Sequence, residues 1–362
     1  MINYTIVGAG IYGLTVARLL AEAGISVTVM EKKPHIGGLC YTRNAGHGVH
    51  IHEFGGHIFH TDNHNVWNFV SRFCEFNGHR HTKLVLGNDN QLYPFPVNMF
   101  AISQVLGISD IPTAQKIIHD NGLGDNFEER AIDMMGRDLY RNFFKYYTTK
   151  HWGMHPTSLP ASILKRVPVR FSWNNDVFLD KYQGVPTHGY TDMFQKMADH
   201  PLINVHCNEN IELRDVGPRT VYTGCLDTLF DDTLGGLEYR CVQFSHIVDS
   251  SDDPGISTIN DARFGSRYTR RLYHKYFSEQ PDAPINPVSY ESAVWRYGAD
   301  CEPSYPIPTE KNTQLSDKYK KLADDSGILY GGRLADYAYY DMDVAVGQAM
   351  VMAEKIIRKE NL

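Results

Sequence analysis

The sequence predicts an α/β fold that is interrupted by an inserted helical bundle and a mostly antiparallel β-sheet. Three observations predict it: a strand, glycine turn, helix and strand at the start, helical periodicity from about 97 to 150, and short β-like runs from about 200 to 300 (TVYTG, YRCVQFSHIV and PVSYESAVW). Ser109 and Asp125 are capping candidates within the helical stretch. A last strand in GILYGG and a helix from about Asp343 to Lys359 return to the α/β pattern. The C-terminal residues are therefore expected to complete the first domain.

Composition indicates a globular protein with a large core. The chain has 362 residues, of which 42% are hydrophobic, and this length suggests two or three domains. The 35 basic residues are scattered among 42 acidic ones, so no nucleic-acid partner is expected. The six cysteines form no C-x-x-C pair, which indicates a reducing, cytoplasmic environment. No apolar run reaches the roughly 18 residues of a membrane span, so no membrane insertion is expected.

The glycine turn has the spacing of a dinucleotide site. Gly8, Gly10 and Gly13 follow the strand YTIV and precede the helix LTVARLLAEAG, and Glu31 ends the next strand. Gly8 permits a tight turn, Gly10 lets a pyrophosphate approach the backbone, and Gly13 allows close helix packing. The helix N-terminus adds partial positive charge. The pattern predicts a Rossmann-type domain in which Glu31 binds the adenosine ribose.

FAD and a nicotinamide dinucleotide share this pattern, and two features favour FAD. Gly37 and Gly38 follow Glu31 at the position of a second glycine pair in glutathione-reductase-like flavoproteins. Near the C-terminus, a strand ends in Gly331-Gly332-Arg333 and a helix begins near Asp343. A helix N-terminus directed at the flavin would stabilise a reduced, anionic ring. FAD is our interpretation, with the nicotinamide dinucleotide as the alternative.

Three histidines in GHIFHTDNHNVW raise the possibility of a metal site. His57, His60 and His64 are three and four residues apart and could share a helix face. However, Gly55 and Gly56 favour a loop at His57, and neither an acid nor a cysteine completes a ligand set. No metal is expected.

Seven motifs resemble those of the bacterial UDP-galactopyranose mutases. They occur in order over residues 7 to 350: VGAGIYG, HIGG, HIFHTDNHNVWNFV, FFKYYTTKHWGMHPTSLPASILKRVPVRF, YTRRLYHKYF, SYPIP and GGRLADYAYYDMDVAVGQAM. The resemblance covers essentially the whole chain, and PASILKR close behind WGM is far more specific than any glycine pattern.

The resemblance and the periodicity together predict three domains. The FAD-binding Rossmann-type domain is expected over 1–80, 190–240 and 315–362, the helical bundle over 97–153, and the antiparallel substrate domain over 81–96, 154–189 and 241–314. The resemblance also implies a homodimer and an external reductant, such as NAD(P)H or a reductase.

The resemblance implies a reaction without net redox change. A flavin-dependent isomerase interconverts the pyranose and furanose forms of a nucleotide sugar, here above all UDP-galactopyranose and UDP-galactofuranose, for cell-surface polysaccharide biosynthesis. Reduced-flavin N5 attacks the anomeric carbon and expels the nucleoside diphosphate; the sugar ring then opens and recloses before the diphosphate returns. Alternatives are the same chemistry on dTDP-fucopyranose or UDP-N-acetylgalactosamine, a flavin amine oxidase, and a binding module without turnover.

Candidate substrate residues follow from the resemblance and from the charge of the leaving group. An expelled diphosphate needs planar cationic donors, and Arg166 and Arg270 match the paired arginines of the family. Tyr305 and Tyr339 match tyrosines that bind the diphosphate. The aromatic and polar residues expected at the nucleoside are Phe143, Tyr147, Trp152, Phe178 and Asn260. The neighbouring Phe144 is expected in the core.

Candidate cofactor residues beyond the glycines and Glu31 also follow from the resemblance. His57 is expected against the isoalloxazine ring, where it would influence N5 geometry and protonation, with His60 in support. Arg333 is expected to hold the FAD pyrophosphate. His64 and Trp67 are expected to cap and pack the following helix. The remaining cofactor candidates are Lys32, Asp341, Met342 and Asp343.

Three departures from the family pattern bear on the sugar. Val177 stands where a diphosphate-binding tyrosine is common, with Trp173 and Tyr182 as possible substitutes. Gly56 replaces the usual proline or alanine, and an asparagine expected near residue 81 is replaced within HRHTK. The predicted flavin chemistry is therefore firmer than the identity of the sugar.

Overall fold

The computed structural model describes residues 2–167, 169–297 and 301–361, apart from the side chains of Lys165 and Arg166. The chain forms two compact units. Unit 1 comprises Met1–Gly78, Asp180–Tyr239 and Pro303–Leu362, and unit 2 comprises His79–Leu179 and Arg240–Glu302. Unit 2 thus contains both the helical segment and the antiparallel sheet, which were predicted as separate domains.

A parallel sheet forms the centre of unit 1. Its strands, numbered along the whole chain, are β1 (Asn3–Val7), β2 (Ser26–Glu31), β9 (Ile203–Cys207), β10 (Thr220–Tyr222) and β16 (Leu329–Tyr330). They lie in the order β16–β10–β1–β2–β9, with every pairing parallel. Strand β10 is the run TVYTG, so placing it with the antiparallel runs was wrong. Because β10 has only three residues, all buried, its sequence pattern does not show whether it pairs parallel or antiparallel.

Helices and further short strands complete unit 1. The helices are α1 (Ile11–Glu22), α2 (His64–Val70), α8 (Gly189–Ala198), α9 (Leu226–Leu229), α11 (Glu310–Asp325) and α12 (Met342–Lys359). The remaining strands are β3 (Thr42–Gly46), β4 (Val49–His52), β5 (Phe59–Thr61), β8 (Tyr182–Gly184) and β15 (Pro303–Pro306). Helix α1 is buried along most of its length and packs against α12. No helix within the described ranges combines the length and apolar character needed to cross a membrane.

Unit 2 contains the predicted, mostly antiparallel sheet. Its strands are β6 (Lys83–Leu86), β7 (Leu92–Phe95), β11 (Tyr239–Ile247), β12 (Thr258–Asp261), β13 (Arg270–Tyr273) and β14 (Val288–Trp295). They follow the order β11–β14–β13–β12–β6–β7. The pairing of β12 with β6 is parallel and the others are antiparallel.

The helical segment of unit 2 begins where predicted, but two of its caps differ by one residue. The helices are α3 (Met99–Leu106), α4 (Ile111–Ile117), α5 (Phe127–Met135), α6 (Arg137–Leu139), α7 (Lys145–Trp152) and α10 (His274–Phe277). Asp110 caps α4 and Asn126 caps α5, so the predicted caps Ser109 and Asp125 were wrong. In each case the side-chain oxygen of the capping residue accepts a hydrogen bond from the backbone N–H of the third helical residue, Thr113 in α4 and Glu129 in α5.

Buried Arg240 holds the end of α7 in place. Its guanidinium donates hydrogen bonds to the carbonyl oxygens of Lys150, His151 and Ala293 at 2.8–3.1 Å. The last carbonyls of a helix have no partner within the helix, and a cation is favourable there. Arg240 therefore fastens α7 to strand β14.

We expect Arg240→Met to lower the free energy of unfolding by roughly 3 kcal/mol, because three charge-assisted hydrogen bonds are lost and carbonyls stay buried. Urea denaturation measures this. Arg137→Met is the control, because Arg137 is exposed in α6, and it should change stability by less than about 0.5 kcal/mol. Equal effects of the two substitutions would contradict this role of Arg240.

Candidate functional site

The glycine turn of unit 1 has the geometry of a dinucleotide loop. Gly8 has a φ of +103°. A Cβ on Gly13 would lie only 2.0 Å from the Gly8 carbonyl oxygen, so helix α1 can approach strand β1 this closely only because Gly13 has no side chain. A Cβ on Gly10 would meet no atom within 4 Å. Gly10 precedes the first residue of α1. Open space at a helix N-terminus suits a phosphate group.

Glu31 and the second glycine pair lie against this loop. The two carboxylate oxygens of Glu31 accept hydrogen bonds from the backbone N–H groups of Ala9 (2.8 Å) and Lys33 (2.9 Å). Gly37 donates to the Ala9 carbonyl at 2.8 Å, and a Cβ on Gly38 would lie 3.2 Å from Gly10 Cα. The structure thus assembles all the predicted loop glycines, and each Glu31 oxygen keeps acceptor capacity for a ligand.

The start of α12 lies close to two of the predicted cofactor segments. The Cys40 thiol, just after the glycine pair, contacts the Met342 sulfur at 3.5 Å. The Thr61 hydroxyl, at the end of the histidine segment, donates to the Asp343 carboxylate at 3.0 Å. Asp341 immediately precedes α12. Segments far apart in sequence therefore converge on the N-terminus of this helix.

The histidine segment is a loop followed by strand β5, so its histidines do not share one helix. The His57 backbone N–H donates to Nδ1 of buried His52 at 3.1 Å, which fixes the position of the loop. His60 Nδ1 lies 3.1 Å from an Asp180 carboxylate oxygen. Among the described residues, no group of three or more histidine, cysteine or acidic side chains is placed to hold a metal ion.

Helix α2 is capped by Asn63, so the prediction that His64 caps it was wrong. The Asn63 side chain accepts hydrogen bonds from the N–H groups of Asn65 and Val66, while His64 is the first helical residue. Trp67 packs as expected: its ring stacks on Tyr182 with centroids 5.2 Å apart and 13° between planes. Tyr182, a substrate candidate, is thus held from one side by this helix.

Arg333 and the two predicted diphosphate tyrosines form one cluster in unit 1. The Arg333 guanidinium lies 5.6 Å from the ring centre of Tyr305, whose ring meets Tyr339 edge-on at 5.2 Å. Tyr339 is 39% exposed. Its neighbour Tyr340 instead donates to the Asp336 carboxylate at 2.7 Å. The chain therefore directs two adjacent tyrosines to different surroundings.

Arg270 is the centre of the candidate site in unit 2. Strand register places it opposite Asn260 in β12 and Glu291 in β14, so the three share one face of the sheet. Arg270 Nε lies 3.5 Å from a Glu291 carboxylate oxygen, and Nη2 donates to the Tyr147 hydroxyl at 3.3 Å. Burial raises the pKa of the Glu291 carboxyl, although Arg270 and Lys83 oppose the shift. This face can present a cation to an anionic ligand.

Helix α7 supplies the aromatic part of the same unit. The Tyr147 and His151 rings stack at 5.8 Å with 7° between their planes. Burial lowers the pKa of His151 to about 3, helped by Arg270 and Arg240, so this imidazole is neutral at pH 7. Phe143 and Trp152 are buried at 2% and 6% exposure, and Phe144 is buried, as predicted for a core residue.

Asn260 and Phe178 provide further polar and aromatic surface in unit 2. Asn260 is 6% exposed, and its Oδ1 accepts no hydrogen bond within the part of the chain that the structure describes. An unsatisfied buried acceptor is costly unless a ligand supplies the donor. The Phe178 ring stacks on His81 at 5.9 Å. His81 occupies the region in which the family pattern predicted an asparagine.

Of the two arginines near PASILKR, only Arg170 has a described side chain. Arg166 ends a 3₁₀ helix (Ala161–Arg166), and its side chain lies outside the described residues. Arg170 donates hydrogen bonds to the carbonyl oxygens of Asp176 and Val177. Arg170 therefore stabilises the loop that carries the Val177 departure.

Two charged neighbours of Arg270 were missed at the sequence level. Glu291 follows the alternation of β14, but no local signal distinguishes it from other acids on half-exposed strands. Lys83 begins β6, and its electrostatic coupling to Arg270 depends on strand register across nearly two hundred residues. Only a prediction of strand order could have found them.

Comparisons with known proteins agree with this geometry. A family model described as UDP-galactopyranose mutase matches residues 142–339, and one for a Rossmann-like NAD(P)-binding domain matches residues 6–73. The dTDP-fucopyranose mutase of Escherichia coli is 36% identical over 98% of each chain. A protein of Klebsiella pneumoniae named probable UDP-galactopyranose mutase is 37% identical over 98% of this chain and 94% of its own.

The chain belongs to the UDP-galactopyranose mutase family. It is accordingly an isomerase with a dinucleotide-binding domain. A crystal structure of reduced UDP-galactopyranose mutase has the same fold, with a TM-score of 0.77 at 15% identity over 99% of this chain and 94% of that one. A redesigned putrescine oxidase matches less well, with a TM-score of 0.57 at 15% identity over 99% of both chains.

Two glycine-to-alanine substitutions separate dinucleotide binding from folding in this mutase. Gly10→Ala adds a methyl group where no protein atom lies within 4 Å, so we expect near-wild-type stability with at least tenfold weaker dinucleotide binding. Gly13→Ala places a Cβ 2.0 Å from the Gly8 carbonyl oxygen and should destabilise the fold. Bound dinucleotide per chain and thermal unfolding measure the two effects. The idea is wrong if Gly10→Ala binds normally or unfolds as readily as Gly13→Ala.

Proposed function

We propose that this mutase interconverts the pyranose and furanose forms of a nucleotide-linked galactose, above all UDP-galactose, with FAD as its cofactor. The observation that carries the proposal is the placement of Arg270 beside the Tyr147 hydroxyl on a sheet face that also presents the unsatisfied Asn260 oxygen. A guanidinium suits a diphosphate, an aromatic ring suits a nucleobase, and the amide suits the base edge.

The residues present in unit 1 fit FAD. The open space at Gly10 and the adjoining glycine pair would admit its pyrophosphate, with Arg333 as the cation, and Glu31 would accept hydrogen bonds from its ribose. When bound in its reduced form, FAD supplies a nucleophilic nitrogen for the anomeric carbon without net redox change. The residues proposed to hold or border it are Gly8, Gly10, Gly13, Glu31, Lys32, Gly37, Gly38, His57, His60, Arg333, Asp341, Met342 and Asp343.

The chain's own residues bind and orient the leaving group. Arg270, with Arg166, stabilises the negative charge that develops on the diphosphate. Tyr305 and Tyr339 donate hydroxyl hydrogen bonds to phosphate oxygens. The nucleoside is bound by Phe143, Tyr147, Trp152, Phe178 and Asn260. Tyr182 or Trp173 substitutes for the diphosphate-binding tyrosine that is replaced by Val177. His57 helps to set the geometry and protonation of the flavin.

A second candidate substrate is dTDP-fucopyranose, and the same chemistry on UDP-N-acetylgalactosamine is a third. The E. coli dTDP-fucopyranose mutase and the K. pneumoniae protein are almost equally similar to this chain, at 36% and 37% identity. The departures at Gly56, Val177 and His81 bear on this choice. A flavin amine oxidase is disfavoured, because the likeness to putrescine oxidase concerns the fold alone. The proposal includes a cytoplasmic homodimer, an external reductant such as NAD(P)H or a reductase, and a role in cell-surface polysaccharide synthesis.

A turnover assay tests the proposal. Purified protein is reduced with dithionite and incubated with UDP-galactofuranose, and the products are separated by chromatography. We expect UDP-galactopyranose from reduced protein and none from oxidised protein. The furanose forms of dTDP-fucose and UDP-N-acetylgalactosamine run in parallel identify the preferred substrate. The proposal would be contradicted if reduced protein converted none of the three substrates. Flavin turnover driven by an amine would also contradict it.

Arg270 should dominate transition-state stabilisation within unit 2. We expect Arg270→Met to lower kcat/KM by roughly 100-fold, because a charge-assisted contact with the diphosphate contributes about 1.5–3 kcal/mol. Arg270→Lys should fall between this variant and wild type, since it keeps the charge and loses the planar fork.

The matched control is Arg271→Met. Arg271 is the next residue of β13, points to the opposite face and pairs with Asp252 at 3.2 Å. Its kcat/KM should stay within about threefold of wild type. Steady-state kinetics on the reduced enzyme measure all three variants, and similar losses at Arg270 and Arg271 would exclude the proposed role.

A further inference from the structure

Lys83 belongs to the charged face that carries Arg270. It precedes Val85 by two residues in β6, and Val85 is the register partner of Asn260. Asn260 in turn pairs with Arg270, which pairs with Glu291. Because side chains alternate along a strand and paired residues share a face, Lys83, Asn260, Arg270 and Glu291 project from the same side of the sheet.

The Lys83 amine packs against an aromatic ring. Its Nζ lies 4.3 Å from the centre of the Phe95 ring, and it makes no hydrogen bond or ion pair within the described residues. Burial and the nearby Arg270 lower the pKa of Lys83 to about 7, while Glu291 acts in the opposite direction. The amine therefore changes charge in the physiological pH range.

Glu291 links the charge of Lys83 to ligand binding, because its buried carboxylate needs a counter-charge. In the free protein, the Arg270 guanidinium pairs with the buried Glu291 carboxylate at 3.5 Å. A diphosphate competes for the same guanidinium. Withdrawing the counter-charge from a buried carboxylate is costly, so a second cation on the same face stabilises the bound state.

We propose that Lys83 is a positioning residue that becomes the counter-charge of Glu291 when Arg270 engages the diphosphate of the substrate. The neutral amine takes one proton from solvent as the ligand binds, and no covalent bond changes. This inference rests on the proposed nucleotide-sugar substrate. Affinity should be full below pH 7, where the amine is already protonated, and should fall as pH rises above 7.

Other titratable groups surround this face and define the controls. From α7, His151 has a pKa lowered to about 3 by burial, and from β7, Tyr93 has a pKa raised to about 12, so neither titrates between pH 6.5 and 8.5. Burial lowers the pKa of Lys150 in α7 to about 8. Its amine already donates hydrogen bonds to the carbonyl oxygens of Asp261, Arg263 and Tyr268. His81 lies two residues before Lys83 in the chain and just outside β6.

Calorimetric titration of UDP-galactose into the oxidised flavoprotein tests the inference, since oxidised protein binds without turnover. Titrations in buffers of different ionisation enthalpy give the number of protons taken up, and the ligand itself does not titrate in this range. We expect wild type to take up most of one proton near pH 8 and its Kd to rise about tenfold from pH 6.5 to 8.5. Lys83→Met should bind more weakly and without proton uptake. Lys83→Arg should retain affinity within about threefold and lose the pH dependence.

The outcomes separate this inference from the proposed function. Undiminished proton uptake in Lys83→Met, a wild-type pH dependence in Lys83→Arg, or loss of uptake in His81→Asn instead would overturn the role of Lys83. Because Lys83→Arg keeps the charge, it decides the question even if Lys83→Met fails to fold. Absence of UDP-galactose binding by wild type would overturn UDP-galactose as the proposed substrate, and the inference with it.

Discussion

The ion pair between half-buried Arg270 and buried Glu291 is the interaction on which the rest of unit 2 depends. A carboxylate removed from water is stable in its charged form only with a counter-charge; Arg270 supplies it to Glu291 and also donates to the Tyr147 hydroxyl. The Tyr147 contact requires α7 to lie over the sheet, and Arg240 fastens the end of that helix to β14. Stability and ligand recognition therefore use the same contacts.

Unit 1 is organised by a steric constraint instead of a charge. The near contact between Gly13 and the Gly8 carbonyl brings α1 onto β1 and leaves open space at Gly10. Gly8 and Gly13 therefore allow the close packing, and Gly10 leaves the ligand position open. Glu31 adds to this by tying the loop at Ala9 through a backbone hydrogen bond. A substitution in this loop can accordingly damage folding, dinucleotide binding or both, depending on the residue.

Local patterns predicted the elements whose chemistry is local. Gly8, Gly10 and Gly13 could be placed because the turn, the helix start and the strand are adjacent in the chain, and α12 begins within one residue of the predicted Asp343. Cap residues were missed by one position, because serine, aspartate and asparagine adjoin one another and differ little in capping preference. The parallel pairing of β10 depends on a partner that is distant in sequence.

The electrostatics of the candidate site could not be predicted from local sequence. Lys83 and Glu291 look like ordinary strand residues until the strand order places them on the face of Arg270. Motif resemblance singled out Arg270 and Tyr147 as candidates but carried no information on what holds them in place. The surroundings of a site residue are therefore what the structure adds to the sequence.

A crystal structure of the protein with bound UDP-galactose tests the central claim most directly. The account predicts the diphosphate within hydrogen-bonding distance of the Arg270 guanidinium, the base against Tyr147, and a hydrogen bond to the Asn260 oxygen. A nucleotide bound elsewhere, with Arg270 still directed at Glu291, would contradict it.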